Sequence, residues 1–92
     1  MKLTYSTHFK KDYEVIQKSG KDISQLDTII RRLGDGDDNF GPVYKVYPMN
    51  FGWMKNYFTL YLAPDWALIY KMDVEKGEVY LVRTGHPKDI QY

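Results

Sequence analysis

The sequence predicts an α+β fold in the order β-α-α-β-β-β-β: an antiparallel sheet meander packed on an N-terminal helix hairpin. Three observations carry this. Apolar residues recur at helical spacing early in the chain and at every second residue after Pro42. Turn residues then follow one another too closely for crossover helices, so the later strands run antiparallel. A chain of 92 residues, 43% hydrophobic and 27% charged, suits one domain with one modest core, spanning 1–92.

Lys2 to Ser6 reads as a first strand, with Leu3 and Tyr5 on one face. Ser6 or Thr7 can cap a helix whose inner stripe is Phe9, Tyr13 and Ile16, and Gly20 stops it. Lys10, Lys11, Glu14 and Lys18 lie off that stripe, and His8 reads as a surface or capping residue. Asp22 is a good N-cap for a second helix, and Gln25 stands at capping-box spacing. Its stripe is Ile23, Leu26, Ile29 or Ile30, and Leu33. Arg31 and Arg32 complement the dipole in the last turn, and Gly34 ends the helix. So short a link makes the two helices a hairpin.

Asp35 to Pro42 is a loop by composition. Val43 to Tyr47 is a strand stopped by Pro48, and Asn50 to Gly52 is turn-like. Lys55 to Leu62 alternates Tyr57, Thr59 and Tyr61 on one face with Phe58, Leu60 and Leu62 on the other. Pro64-Asp65 turns the chain into a central strand, Trp66 to Met72. Glu78 to Thr84 is the last strand, and Gly85 breaks it before a tail from His86 to Tyr92. The helices cover one face of the sheet, which leaves the other as a working surface.

Composition narrows the chemistry. The chain has no cysteine, which excludes disulfides, thiolate metal sites and a cysteine nucleophile. No apolar run approaches the ~20 residues that span a bilayer, and Met1 to Ser6 lacks the apolar core of a signal peptide. A cytoplasmic protein without a membrane partner is expected. A net charge of +1 gives no long-range attraction to nucleic acid, so any polyanion site is a local patch. Nine Tyr, four Phe and two Trp supply rings for a core, a stacking surface, or both.

Asp35, Asp37 and Asn39 alternate like calcium ligands, but Phe40 stands where the loop needs glycine and Val46 where it needs glutamate. A solvated connector is the better reading, and no metal or cofactor is expected. Pro64-Asp65-Trp66 is either a turn with a core tryptophan or a carboxylate and ring at the rim of a groove. Arg83-Thr84-Gly85-His86 sets a phosphate-binding guanidinium close to a side chain that moves protons near neutrality. Lys45, Lys55 and Lys71, interleaved with Tyr47, Tyr57, Tyr61 and Tyr70, suit a basic aromatic platform for single-stranded RNA, or an ordinary half-exposed sheet.

These residues carry a resemblance. Phe9-Lys10-Lys11-Asp12-Tyr13 and the stretch from Lys18 to Leu26 resemble the helix hairpin of YafQ-type toxins, in the RelE/ParE superfamily of bacterial toxin–antitoxin systems. Val43-Tyr44-Lys45, Pro64-Asp65-Trp66 with Leu68-Ile69-Tyr70-Lys71, and Arg83-Thr84-Gly85 continue the match in order. The resemblance implies a RelE-like fold and a ribosome-dependent mRNA endonuclease that uses the RNA 2′-hydroxyl and no metal. It also implies a cognate antitoxin, in a hetero-oligomeric complex. Asp65, Trp66 and Arg83 match the family. Tyr47 and Tyr61 stand where the family has histidines, and His86 is one place early. The implied catalytic set is Asp65, Arg83, His86, Tyr61 and Tyr47. Lys45, Lys55, Trp66, Lys71 and Tyr92 would contact RNA. The histidine replacements leave a second reading open: a binding module without nuclease activity, either a ParE-like gyrase inhibitor or an antitoxin-binding relic.

Overall fold

The computed structural model describes residues 1–49 and 52–90. Strand β1, Lys2–Tyr5, leads into helix α1, Thr7–Lys18, and helix α2, Ile23–Gly34. Ser6 caps α1 by accepting the Phe9 N–H at 2.8 Å, while its own hydroxyl donates to the Val82 carbonyl. Gly20, at φ 86°, turns the chain between the helices. Asp22 caps α2 as expected, but its carboxylate closes on the Ser24 N–H at 3.2 Å. Both Ile29 and Ile30 are buried, with Leu26 and Leu33.

The connector 35–44 then passes Phe40 into the core, 2% exposed, while Asp37 and the Asn39 carbonyl take up Arg32 at 2.9 and 2.8 Å. Strand β2 is Lys45–Pro48, with Pro48 inside it rather than beyond its end, and a short 3-10 helix follows at Gly52–Met54. Asn50 of the expected turn lies outside the described residues. Strands β3, Tyr57–Ala63, β4, Trp66–Asp73, and β5, Glu78–Gly85, complete the sheet.

The sheet order is β1-β5-β4-β3-β2, so β4 is central, as its apolar run implies. The last four strands form the expected antiparallel meander. β1, however, adds to the far edge in parallel with β5, so the sheet is mixed. The chain crosses from β1 over the sheet through both helices, and their stripes meet Leu60, Leu68, Tyr70, Met72, Val79 and Leu81 in the main core.

The opposite face is less open than the sequence suggests. Segment 86–90 folds back over it, and Ile90, 3% exposed, packs with Ala67, Ile69 and Val82 in a second cluster. Gly85 makes that return possible. Its φ is +151°, and a Cβ there would stand 3.3 Å from Ile90 Cγ2. Gly85→Ala should therefore destabilise the fold by about 1–3 kcal/mol, the cost of backbone forced where L side chains rarely go. Urea unfolding monitored by circular dichroism checks this, and an unchanged midpoint would contradict it.

Candidate functional site

Register places the open-face residues in rows. Ala67 of β4 pairs with Tyr61 on one side and Gly85 on the other, and Tyr61 pairs with Lys45. In the next row, Ile69 pairs with Thr59 and Arg83, and Thr59 with Tyr47. The small and apolar middle of each row is covered, so the polar groups collect at two rims.

At the β5 rim is a cleft of about 280 Å³ whose lining includes Asp12, Lys21, Asp65, Arg83, Gly85 and His86. Asp65, Arg83 and His86, far apart in sequence, are thus brought together. β1 ends at Tyr5, opposite Leu81, so α1 lies against the rest of β5 and helix residues reach the cleft.

Arg83 is not free. Its Nε and Nη2 donate to the two carboxylate oxygens of Asp12 at 2.8 and 3.0 Å. This fork holds the guanidinium firmly charged, above its ordinary range. Nη1 and the second Nη2 hydrogen form the other edge of the fork.

Asp65 sits in the exposed β3–β4 turn and pairs with Lys21 Nζ at 3.3 Å. The Lys21 hydrogen bond, then its charge, holds the Asp65 carboxyl below the usual range. Such a carboxylate is ionised near neutrality and is an acceptor rather than an acid. His86 is exposed, and its Nδ1 accepts the Lys88 N–H at 3.1 Å, which leaves Nε2 as the donor of the neutral ring.

Replacing Lys21 with methionine should raise the Asp65 pKa toward the ordinary value of about 3.9. With the native pair, the folded carboxyl titrates below the unfolded one. The stabilisation is therefore present above the unfolded value and lost as pH falls through the folded value. Carboxyl carbon NMR titration of wild type and variant reads the shift directly.

The second rim is a groove of about 460 Å³ lined by Lys45, Tyr47, Tyr61 and Pro64 among others. Tyr47, 52% exposed, meets Tyr61 edge-on with ring centroids 5.8 Å apart. The Pro64-Asp65 turn joins this groove to the cleft. Lys71 belongs to neither. It lies toward the other end of β4, its Nζ 5.5 Å from the Tyr57 ring, in a hollow with Asp73 and Glu78. Lys55 is exposed in the turn before β3. Tyr92 lies outside the described residues.

Two aromatic expectations need correcting. Trp66 does not offer a face to a base: it is 3% exposed and packs in the helix-side core, with its indole N–H donating to Thr84 Oγ1 at 3.0 Å. Tyr70 is also interior, 2% exposed and stacked on Phe58 at 5.4 Å, and burial pushes its hydroxyl pKa up to about 12. A strand buried on both faces turns aromatics from either face into core.

Sequence reasoning missed Asp12 and Lys21. Asp12 stands three residues after Phe9 and four before Ile16, on the margin of the inward stripe, where a charged group needs a partner. That signal was available. Nothing in the local sequence around Lys21 gives its partner across the fold.

A two-helix cover on a mixed five-stranded sheet is the fold of RelE-like toxins. The whole chain, residues 1–92, matches the model of the bacterial toxin of type II toxin–antitoxin systems, YafQ, and the chain belongs to that family. It is 36% identical over 70 residues to the mRNA interferase toxin YafQ of Escherichia coli strain B / BL21-DE3, covering 76% of this chain and 75% of that one. The E. coli DinJ–YafQ complex superposes with a TM-score of 0.85 at 31% identity, over 98% of this chain and 97% of that one. A metal-bound toxin from Helicobacter pylori superposes with a TM-score of 0.86 at 26% identity, over 99% of each chain.

Proposed function

We propose that this protein is an mRNA endonuclease acting on translating ribosomes in the cytoplasm, held inactive by a cognate antitoxin. The observation that carries the chemistry is the cleft itself: a guanidinium locked along one edge, a carboxylate kept ionised and an imidazole donor line one hollow. The relatives named as mRNA interferases support the substrate, and the DinJ–YafQ assembly of E. coli supports the antitoxin.

In this reading the 2′-oxygen of one nucleotide attacks its own 3′-phosphorus, and the bond to the 5′-oxygen of the next breaks. The products are a 2′,3′-cyclic phosphate and a 5′-hydroxyl. The free edge of Arg83 takes the non-bridging oxygens as their charge grows. Asp65 takes the 2′-hydroxyl proton, and His86, entering the step as the imidazolium with Nδ1 released from the Lys88 N–H, gives its Nε2 proton to the leaving 5′-oxygen and ends as neutral imidazole. Tyr47 and Tyr61, with Lys45, form a wall on the β2 side that orients bases and backbone. Lys55 and Lys71 remain outer RNA contacts, and Tyr92 remains a proposed RNA contact. Purified protein on programmed ribosomes, with RNA 5′ ends mapped, tests the reading. Co-purification with the product of an adjacent small gene tests the partner.

The nucleophile is internal and the charge is met by a fixed cation, so the mechanism needs no metal. Protein stripped of metal by chelation should cut magnesium-held ribosomal complexes at an unchanged rate. A loss restored by zinc, copper or manganese would overturn that step.

A second reading has an observation in its favour. Both principal charges of the cleft, Arg83 and Asp65, already have protein partners. A binding module without nuclease activity would keep them so. Growth arrest with DNA damage and intact mRNA would select the gyrase version, and antitoxin binding with no growth arrest the relic.

A further inference from the structure

We propose that Asp12 is the positioning residue for Arg83: it fixes which edge of the guanidinium faces the cleft. The inference rests on the nuclease reading above and deepens it, by naming the residue through which the helix hairpin acts on the site.

The argument begins with Asp12 itself. Its carboxylate accepts three hydrogen bonds: Oδ2 from Arg83 Nε at 2.8 Å and from the Thr84 N–H at 3.2 Å, and Oδ1 from Arg83 Nη2 at 3.0 Å. The Thr84 bond matters most, because a backbone donor in β5 cannot swing away. It makes Asp12 a fixed acceptor, not one partner in a mobile surface pair. The side chains are 14% exposed for Asp12 and 28% for Arg83, so water screens the pair only in part.

The anchor is fixed in turn. The Thr84 hydroxyl donates to the Ala67 carbonyl at 2.9 Å and accepts the Trp66 indole N–H at 3.0 Å. One connected set of hydrogen bonds therefore runs from α1 through β5 to β4, ending beside Asp65. Planar fork-to-fork pairing fixes the guanidinium plane as well as its place. With Nε and one Nη2 hydrogen engaged, the edge formed by Nη1 and the other Nη2 hydrogen is the one left for a phosphate. A site geometry held to within about half an ångström needs this kind of support.

A positioning role and a merely structural one differ in three measurable ways. An immobilised guanidinium gives a distinct, slowly exchanging Nε–H signal in nitrogen-edited NMR, and Asp12→Asn should broaden or shift it toward the free value. Cleavage by Asp12→Asn should fall about tenfold or more in kcat with little change in KM, because the loss appears as transition-state charge develops. Asp12→Glu, which keeps the fork, should recover part of it. In an Arg83→Ala background, Asp12→Asn should cost nothing further in rate, since Asp12 acts only through Arg83.

An unchanged Nε–H signal in Asp12→Asn would overturn the proposal. So would full additivity of the two substitutions, or a rate equal to or above wild type in folded Asp12→Asn. Wild-type protein that cuts no RNA would instead overturn the nuclease reading, and the Nε–H signal would still decide whether Asp12 sets Arg83. If Asp12→Asn fails to fold, Asp12→Glu and the wild-type signal carry the same test.

Discussion

On the proposed mechanism, Arg83→Ala should lower mRNA cleavage on programmed ribosomes by about a hundredfold or more, the scale of losing one preorganised donor to a developing oxyanion. The charge on the phosphorane exceeds that of the ground state, so the loss falls on kcat. The substitution also removes two of the three donors that hold the Asp12 carboxylate. Leaving a partly buried acceptor short of partners costs about 1–3 kcal/mol, so melting should be measured beside activity. Arg83→Lys separates the two effects. It restores a cation but not the planar fork, so it should recover stability better than rate. Wild-type cleavage by folded Arg83→Ala would remove the mechanism proposed here.

Trp66→Ala should lower stability by about 3–5 kcal/mol, the range for emptying a large aromatic site in a core. That is a large share of the roughly 5–15 kcal/mol that holds a domain together. The ring lies among the residues between helices and sheet, and Lys21 Nζ stands 5.6 Å from its centroid. The vacancy would thus also loosen the cation that holds Asp65. Trp66→Phe should cost less, about the hydrogen bond to Thr84 plus the lost volume. Chemical denaturation measures both. A Trp66→Ala protein as stable as wild type, yet weak in RNA binding, would restore the stacking role expected from sequence.

The helices were legible because their signals are local. Ser6 and Asp22 cap, Gly20 turns, and the stripes at Phe9, Ile16, Leu26 and Leu33 are the ones buried. The alternation of Tyr57, Thr59 and Tyr61 against Phe58, Leu60 and Leu62 likewise gave the two faces of β3 correctly. β4 resisted the same treatment. Trp66 to Tyr70 is buried without interruption, so no alternation marks which rings are available. The return of 86–90 over the sheet depends on Ile90 finding Ala67 and Ile69, a contact that no neighbouring residue signals. Of the candidate residues, Asp65, Arg83 and His86 do line one cleft, while Trp66 lies in the core and Lys71 in another hollow. The electrostatics of that cleft were not legible, because Asp12–Arg83 and Lys21–Asp65 join segments 71 and 44 positions apart.

The parallel pairing of β1 with β5 has a consequence for synthesis. Thr4 Oγ1 donates to the Val79 carbonyl across 75 positions of sequence. As the chain leaves the ribosome, β1 and the helix hairpin emerge first and must wait for the strand they dock against. Contacts this distant are made late and slowly, because the loop they close must be ordered before they reward it. The same late strand carries Arg83. A nascent or truncated chain therefore lacks both the seam that closes its sheet and the cation on which the proposed chemistry turns, and a cell building such a protein meets its activity only once the final strand is in place.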